Sequence, residues 1–169
     1  MVHLYTGEGK GKTTAAVGLA VRAAGHDIPV LFAQFMKGND TGEIHVLKEL
    51  RQVRILRSDR DFGFYKQMSD ADKQQLTEIH DWILGELLEA VQSKQCGMVI
   101  LDEVTYPVTW GLLDQTRLKK LLEAEDVEIV LTGRNPAPFL EEAADYITEM
   151  HCVRHPFERG VTARRGVEY

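Results

Sequence analysis

A chain of 169 residues with 44% hydrophobic content is long enough to bury a full core and reads most simply as one domain, residues 1–169. A net charge of −6 argues against a nucleic-acid surface, which needs clustered Lys and Arg. No apolar run approaches the roughly twenty residues of a membrane span, no signal peptide opens the chain, and Cys96 and Cys152 form no CxxC or zinc spacing. A reduced, cytoplasmic setting without membrane or nucleic-acid partners is the expectation.

The first apolar run, residues 2–5, predicts a strand. It leads into Gly7-Glu8-Gly9-Lys10-Gly11-Lys12-Thr13-Thr14, ahead of a helix-forming run predicted to span 12–24 and to stop at Gly25 as a C′ glycine. Strand, glycine-rich loop and helix together predict a phosphate cradle. Backbone N–H groups turn inward, Lys12 reaches a phosphate oxygen and the Thr13 hydroxyl is placed for Mg²⁺. The loop is one residue shorter than the ordinary motif, because Gly7 leaves only three residues before Gly11. A triphosphate held in a different pose brings reaction at an atom other than the γ-phosphorus into consideration.

Further strands are predicted over residues 30–35, 53–56, 98–101, 128–132 and 146–152. Between them the longest helix opens with Ser69 as N-cap and Asp72 three residues on, and its apolar stripe of Leu76, Ile79, Ile83, Leu84, Leu87, Leu88 and Val91 is core. Apolar strands joined by helices predict an α/β fold with a mostly parallel sheet covered on both faces. The strand over 98–101 runs into Asp102-Glu103, a Walker-B-like ending at the edge where ligands of open α/β sheets gather. Asp102 there can hold Mg²⁺ opposite Thr13, and Glu103 can orient water, metal or ribose; the alternative is an acidic N-cap. Arg134 follows the strand over 128–132, as a phosphate or substrate contact or as a plain loop arginine. Arg154, Arg159, Arg164 and Arg165 form a basic tail, a solvated surface or a local anion contact.

Taken together, the loop from Tyr5 to Ala16, Gln34-Phe35-Met36-Lys37-Gly38, Gly42-Glu43, Leu101-Asp102-Glu103-Val104-Thr105-Tyr106, Thr132-Gly133-Arg134 and the closing Gly166-Val167-Glu168-Tyr169 resemble the P-loop type of ATP:corrinoid adenosyltransferase, in that family's order. The resemblance implies a RecA-like P-loop NTPase fold, a homodimer, and transfer of the 5′-deoxyadenosyl group of ATP to cob(I)alamin or a related corrinoid with release of tripolyphosphate. It implies ATP as co-substrate, Mg²⁺ or Mn²⁺ as the metal, and a flavoprotein or other electron donor for Co(II). It accounts for the short loop, over which the triphosphate lies in the reverse sense so that the ribose C5′ faces the nucleophile.

By position, Lys12, Thr13 and Glu103 match catalytic groups, residues 7–14 and Arg22 match nucleotide contacts, and Thr13, Asp102 and Glu103 match the metal site. Asp61-Phe62-Gly63-Phe64 aligns with a Phe-Thr-Trp segment that packs below the corrin, with Phe64 in place of the tryptophan. If extended, Phe62 and Phe64 face the same way; the alternative is a pair of core aromatics. Relatives often carry an N-terminal extension over the corrinoid, whereas here only Met1 precedes the first strand, so that cover is expected to be missing or supplied otherwise. The rival function is a RecA-like ATPase or nucleotide-dependent switch, with Glu103 activating water.

Overall fold

In the computed structural model, which describes residues 1–168, six strands form one all-parallel sheet: β1 (Val2–Thr6), β2 (Val30–Gln34), β3 (Val53–Arg57), β4 (Met98–Asp102), β5 (Glu128–Thr132) and β6 (Tyr146–Glu149). Their spatial order is β3-β2-β4-β5-β1-β6. Helices α1 (Lys12–Ala24), α2 (Gly42–Leu47), α3 (Asp70–Gln92), α4 (Thr105–Trp110), α5 (Gln115–Leu122) and α6 (Pro138–Ala143) connect them. Tyr169, the last residue of the closing motif, lies outside the described residues.

A parallel sheet needs both faces covered, and the side chains sort accordingly. Val99 and Leu101 of β4 pack with Leu84 of α3, Leu118 of α5 and Leu140 of α6. Met98 and Ile100 point the other way, onto Ala16 and Ala20 of α1 and Ile44 of α2. All five residues of β2 and of β4 are buried, as central strands require. This is the predicted α/β arrangement with helices on both faces, and it is consistent with a P-loop NTPase-like fold.

Helix α3 starts as predicted. The Ser69 hydroxyl accepts the Asp72 amide at 3.1 Å while the Asp72 carboxylate accepts the Ser69 amide at 3.2 Å, a complete capping box. Its buried stripe also takes in His80, which the apolar pattern could not announce.

Two expectations need correction. Gly25 ends α1 with φ −66 in the right-handed region, and the left-handed position falls two residues later on Asp27, at φ 58. The last strand stops at Glu149 rather than continuing to residue 152, and its four residues are exposed at the sheet edge. Its continuation is diverted: the Met150 amide donates to the Thr6 carbonyl at 2.8 Å, and the Met150 carbonyl accepts the Gly9 amide at 2.6 Å. The chain thus leaves strand pairing to brace the glycine loop.

Because every strand runs the same way, all C-terminal ends share one edge. Register pairs Gln34 with Asp102 and Tyr5 with Thr132, so the loops after β1, β2, β4 and β5 meet there.

Candidate nucleotide and corrinoid site

The glycine loop wraps its own lysine. Lys12 is the first residue of α1, only 8% exposed, and its ammonium donates to the carbonyls of Gly7 at 2.6 Å and Gly9 at 2.8 Å. Burial lowers its pKa, as does the charge of Arg134, against the opposing pull of Glu103 and Glu8. A Cβ on Gly7 or Gly9 would sit 2.6 or 2.5 Å from the Met150 carbonyl oxygen, so the brace from β6 leaves room only for glycine. At the tip, the exposed Glu8 accepts from the Arg134 guanidinium at 2.7 Å.

Asp102 ends β4 fully buried, and its oxygens divide the work. Oδ1 accepts the hydroxyls of Thr13 at 2.8 Å and Thr132 at 2.7 Å, while Oδ2 faces the Lys37 ammonium at 2.9 Å and the Gln34 amide at 3.4 Å. The Thr132 hydroxyl also accepts the Glu103 amide at 2.9 Å. Since β5 lies between β1 and β4, Thr132 is the bridge that joins the two motif-bearing strands. Thr13 and Asp102 therefore stand opposite each other, and the N-cap alternative fails because α4 begins at Thr105 behind Val104, with no side-chain cap.

Glu103 takes φ 64 and Met36, just past β2, takes φ 58. Left-handed backbone at non-glycine residues costs on the order of 1–3 kcal/mol and gathers at functional sites. Burial raises the Glu103 pKa and the Asp102 charge adds to it, partly offset by Lys37, Lys12 and Arg134. Burial disfavours the Lys37 ammonium, yet Asp102, Glu103 and Glu43 together outweigh it and the pKa is raised. Thr13, Asp102 and Glu103 supply hard oxygen donors, the set that suits Mg²⁺, an ion that keeps several waters and takes further ligands from phosphates.

From Thr13, Thr14 and Glu103 a cavity of about 960 Å³ runs past Lys37 and α2 to Phe64, with Val167 and Glu168 on its wall. The two aromatics predicted to act together part company. Gly63 takes φ +70, so the segment is not extended. Phe62 turns under Arg60, 4.5 Å from its ring, and packs with Met68, Leu76 and Leu112, whereas Phe64 is 81% exposed and lines the cavity. Arg22 stands apart from the loop, exposed in the last turn of α1 and ~15 Å along the axis from Lys12. Its charge partly offsets the rise that burial gives the Tyr5 pKa. In the basic tail, Arg164 is committed to Glu168, at 3.0 Å.

A family model described as ATP:corrinoid adenosyltransferase BtuR/CobO/CobP matches residues 1–169. The chain belongs to this family. It is 34% identical over 172 residues to the corrinoid adenosyltransferase of Escherichia coli strain K12, covering 100% of this chain and 85% of that protein. It is 32% identical over 169 residues to the corrinoid adenosyltransferase of Pseudomonas aeruginosa, covering 98% and 82%. To the corrinoid adenosyltransferase of Sinorhizobium it is 31% identical over 177 residues, covering 100% and 80%.

Lys37, Gln34 and Thr132 have no role legible from their motifs alone, although each stands in a motif at or just past a strand's C-terminal end. That position was itself the available signal. A cluster of aromatics carried no such signal: Tyr65 stacks on Trp110 with ring centroids 4.4 Å apart, and Tyr106 lies tilted against Trp110 at 5.3 Å.

Proposed function

We propose that this chain, acting as one unit over residues 1–169, transfers the 5′-deoxyadenosyl group of ATP to the Co(I) centre of a corrinoid. The observation that carries the reading is the single cavity running from the phosphate loop at Thr13 to the exposed ring of Phe64, which provides a charged end and an aromatic end for two substrates.

In the reaction the cobalt lone pair attacks the ribose C5′, a Co–C bond forms, and the C5′–O bond breaks with both electrons leaving on tripolyphosphate. The chain supplies no nucleophile of its own. Its part is to align C5′ with cobalt and to hold the departing polyanion. Loop N–H groups and the α1 N-terminus receive the phosphates, and Lys12 exchanges its carbonyl partners for a phosphate oxygen. Mg²⁺ or Mn²⁺, held by the Thr13 hydroxyl and the Asp102 carboxylate with Glu103 alongside, would add positive charge against the leaving group. Phe64 offers an apolar surface that cannot coordinate cobalt, on which the lower face of the corrin rests; Phe62 supports that loop from below.

A flavoprotein or another one-electron donor brings cobalt to Co(I). Two copies are expected to associate; the exposed β6 edge, with Ile147 and the nearby Phe157 uncovered, gives them apolar surface to bury. No helix among the described residues is long and apolar enough to cross a membrane, and the low cysteine content suits the cytoplasm. Family membership and the relatives' names lend nothing to the rival reading of a hydrolysing ATPase.

The deciding experiment incubates the protein with MgATP and chemically reduced cobalamin. Tripolyphosphate together with a photolabile Co–C product is expected; ADP and phosphate without that product would overturn the assignment.

A further inference from the structure

Asp102 is fully buried, and a side-chain ammonium of the chain itself reaches it. Among the described residues the ammonium on it is that of Lys37, 2.9 Å from Oδ2, and the next nearest carboxylate to that ammonium is Glu103 at 4.0 Å. This is an arranged contact. Lys37 follows Met36, whose left-handed backbone at φ 58 folds the chain back over the end of β2. The turn is pinned from behind by His80: its Nε2 accepts the Met36 amide at 3.3 Å, and its Nδ1–H donates to the Leu112 carbonyl at 2.8 Å. A helix 44 residues away in sequence thus braces the residue before Lys37.

An isolated buried carboxylate is strongly disfavoured, so a site that must wait for a cation benefits from a stand-in. The lysine also lines the cavity with part of its side chain accessible, 23% exposed, so it has somewhere to go when displaced.

We propose that Lys37 is the resident cation of the Asp102 site: it balances the carboxylate while the site is empty of nucleotide, yields Oδ2 to the divalent ion that arrives with the triphosphate, and then turns its ammonium to the polyphosphate. The proposal rests on the nucleotide-binding reading above and deepens it. Its consequence is order. The free protein takes up a divalent ion poorly, and metal and triphosphate enter together.

The test titrates nucleotide-free protein with Mn²⁺ by electron paramagnetic resonance, so it needs neither corrinoid nor turnover, and its failure stays distinct from failure of the transfer assay. Lys37→Gln, which keeps a donor for Asp102 but removes the charge, should bind Mn²⁺ about tenfold or more tightly than the parent, and Lys37→Arg should match the parent. A Lys37→Gln protein that folds only when Mn²⁺ is present supports the same conclusion. One that binds Mn²⁺ no better than the parent, or that fails to fold with or without the ion, overturns it. Metal-free ATP affinity gives the second arm: it should change less than twofold in Lys37→Gln, because Lys37 is then still occupied by Asp102. A large loss there with unchanged Mn²⁺ affinity would make Lys37 a direct phosphate ligand instead.

Discussion

The Asp102 corner and the loop around Phe64 stand at two ends of one cavity and are built on opposite terms. Asp102 is wholly buried, with both oxygens engaged by Thr13, Thr132, Lys37 and Gln34. Phe64 is 81% exposed, follows a left-handed glycine, and lines the cavity wall. The end that faces a leaving polyanion gains from dipoles and charges already fixed in place, because they cost no reorganisation when charge develops. The end that admits a bulky corrin gains from unfilled surface. His80 links the two, bonded to the turn before Lys37 on one side and to Leu112 on the other, where Leu112 packs with Phe62.

The largest effect should come from Lys12→Ala at the charged end. Its kcat for adenosyl transfer should fall on the order of 10²–10³-fold, about 3–4 kcal/mol, with a raised KM for ATP, because the lysine's value grows as tripolyphosphate departs. A normal kcat at saturating ATP would remove the leaving-group role.

Acid should loosen the link between the ends next. Burial holds the His80 pKa down to about 4 against the usual 6.5, with the Leu112 bond and Asp81 opposing only in part. The unfolded chain therefore binds a proton that the folded chain refuses, and stability falls as pH drops from about 6.5 toward 4 by about 3 kcal/mol in all. Urea unfolding across that range should show the slope, and His80→Phe should flatten it; an unchanged slope would mean other groups govern the acid limit.

At the aromatic end, the structural separation of Phe62 from Phe64 makes a graded expectation. Phe62→Ala should cost about 1–2 kcal/mol of stability through its packing, whereas Phe64→Ala should stay within about 0.5 kcal/mol. Phe64→Ala should nonetheless slow adenosylation starting from cob(II)alamin more than from chemically reduced Co(I), and weaken any four-coordinate Co(II) spectrum seen with ATP. Full activity from both cobalt states would reduce Phe64 to a loop residue.

A small change without a catalytic counterpart is expected at the loop tip. Arg134→Ala frees Glu8 from an exposed pair and should alter stability by less than about 1 kcal/mol, measurable as thermal unfolding without nucleotide. A larger loss would show that the pair closes the loop.

What could be read along the chain was whatever is encoded by near neighbours. The glycine loop, the Lys12–Ala24 helix after it, the capping box at Ser69 and Asp72, and the apolar strand ending in Asp102 each carry their signature within a few residues, because turn chemistry, capping and side-chain period are local. The register of a parallel sheet then forces Asp102 toward the edge that the loop occupies. The tertiary structure alone decided the rest. Thr132 reaches Asp102 because β5 inserts between β4 and β1, and Lys37 reaches it across 65 residues through a turn held by a histidine on another helix. Phe62 and Phe64 look like a pair in sequence, but the positive φ of Gly63 sends them into different environments. Contacts of such separation leave no periodicity to read, since they depend on strand order and on which buried charge most needs a partner.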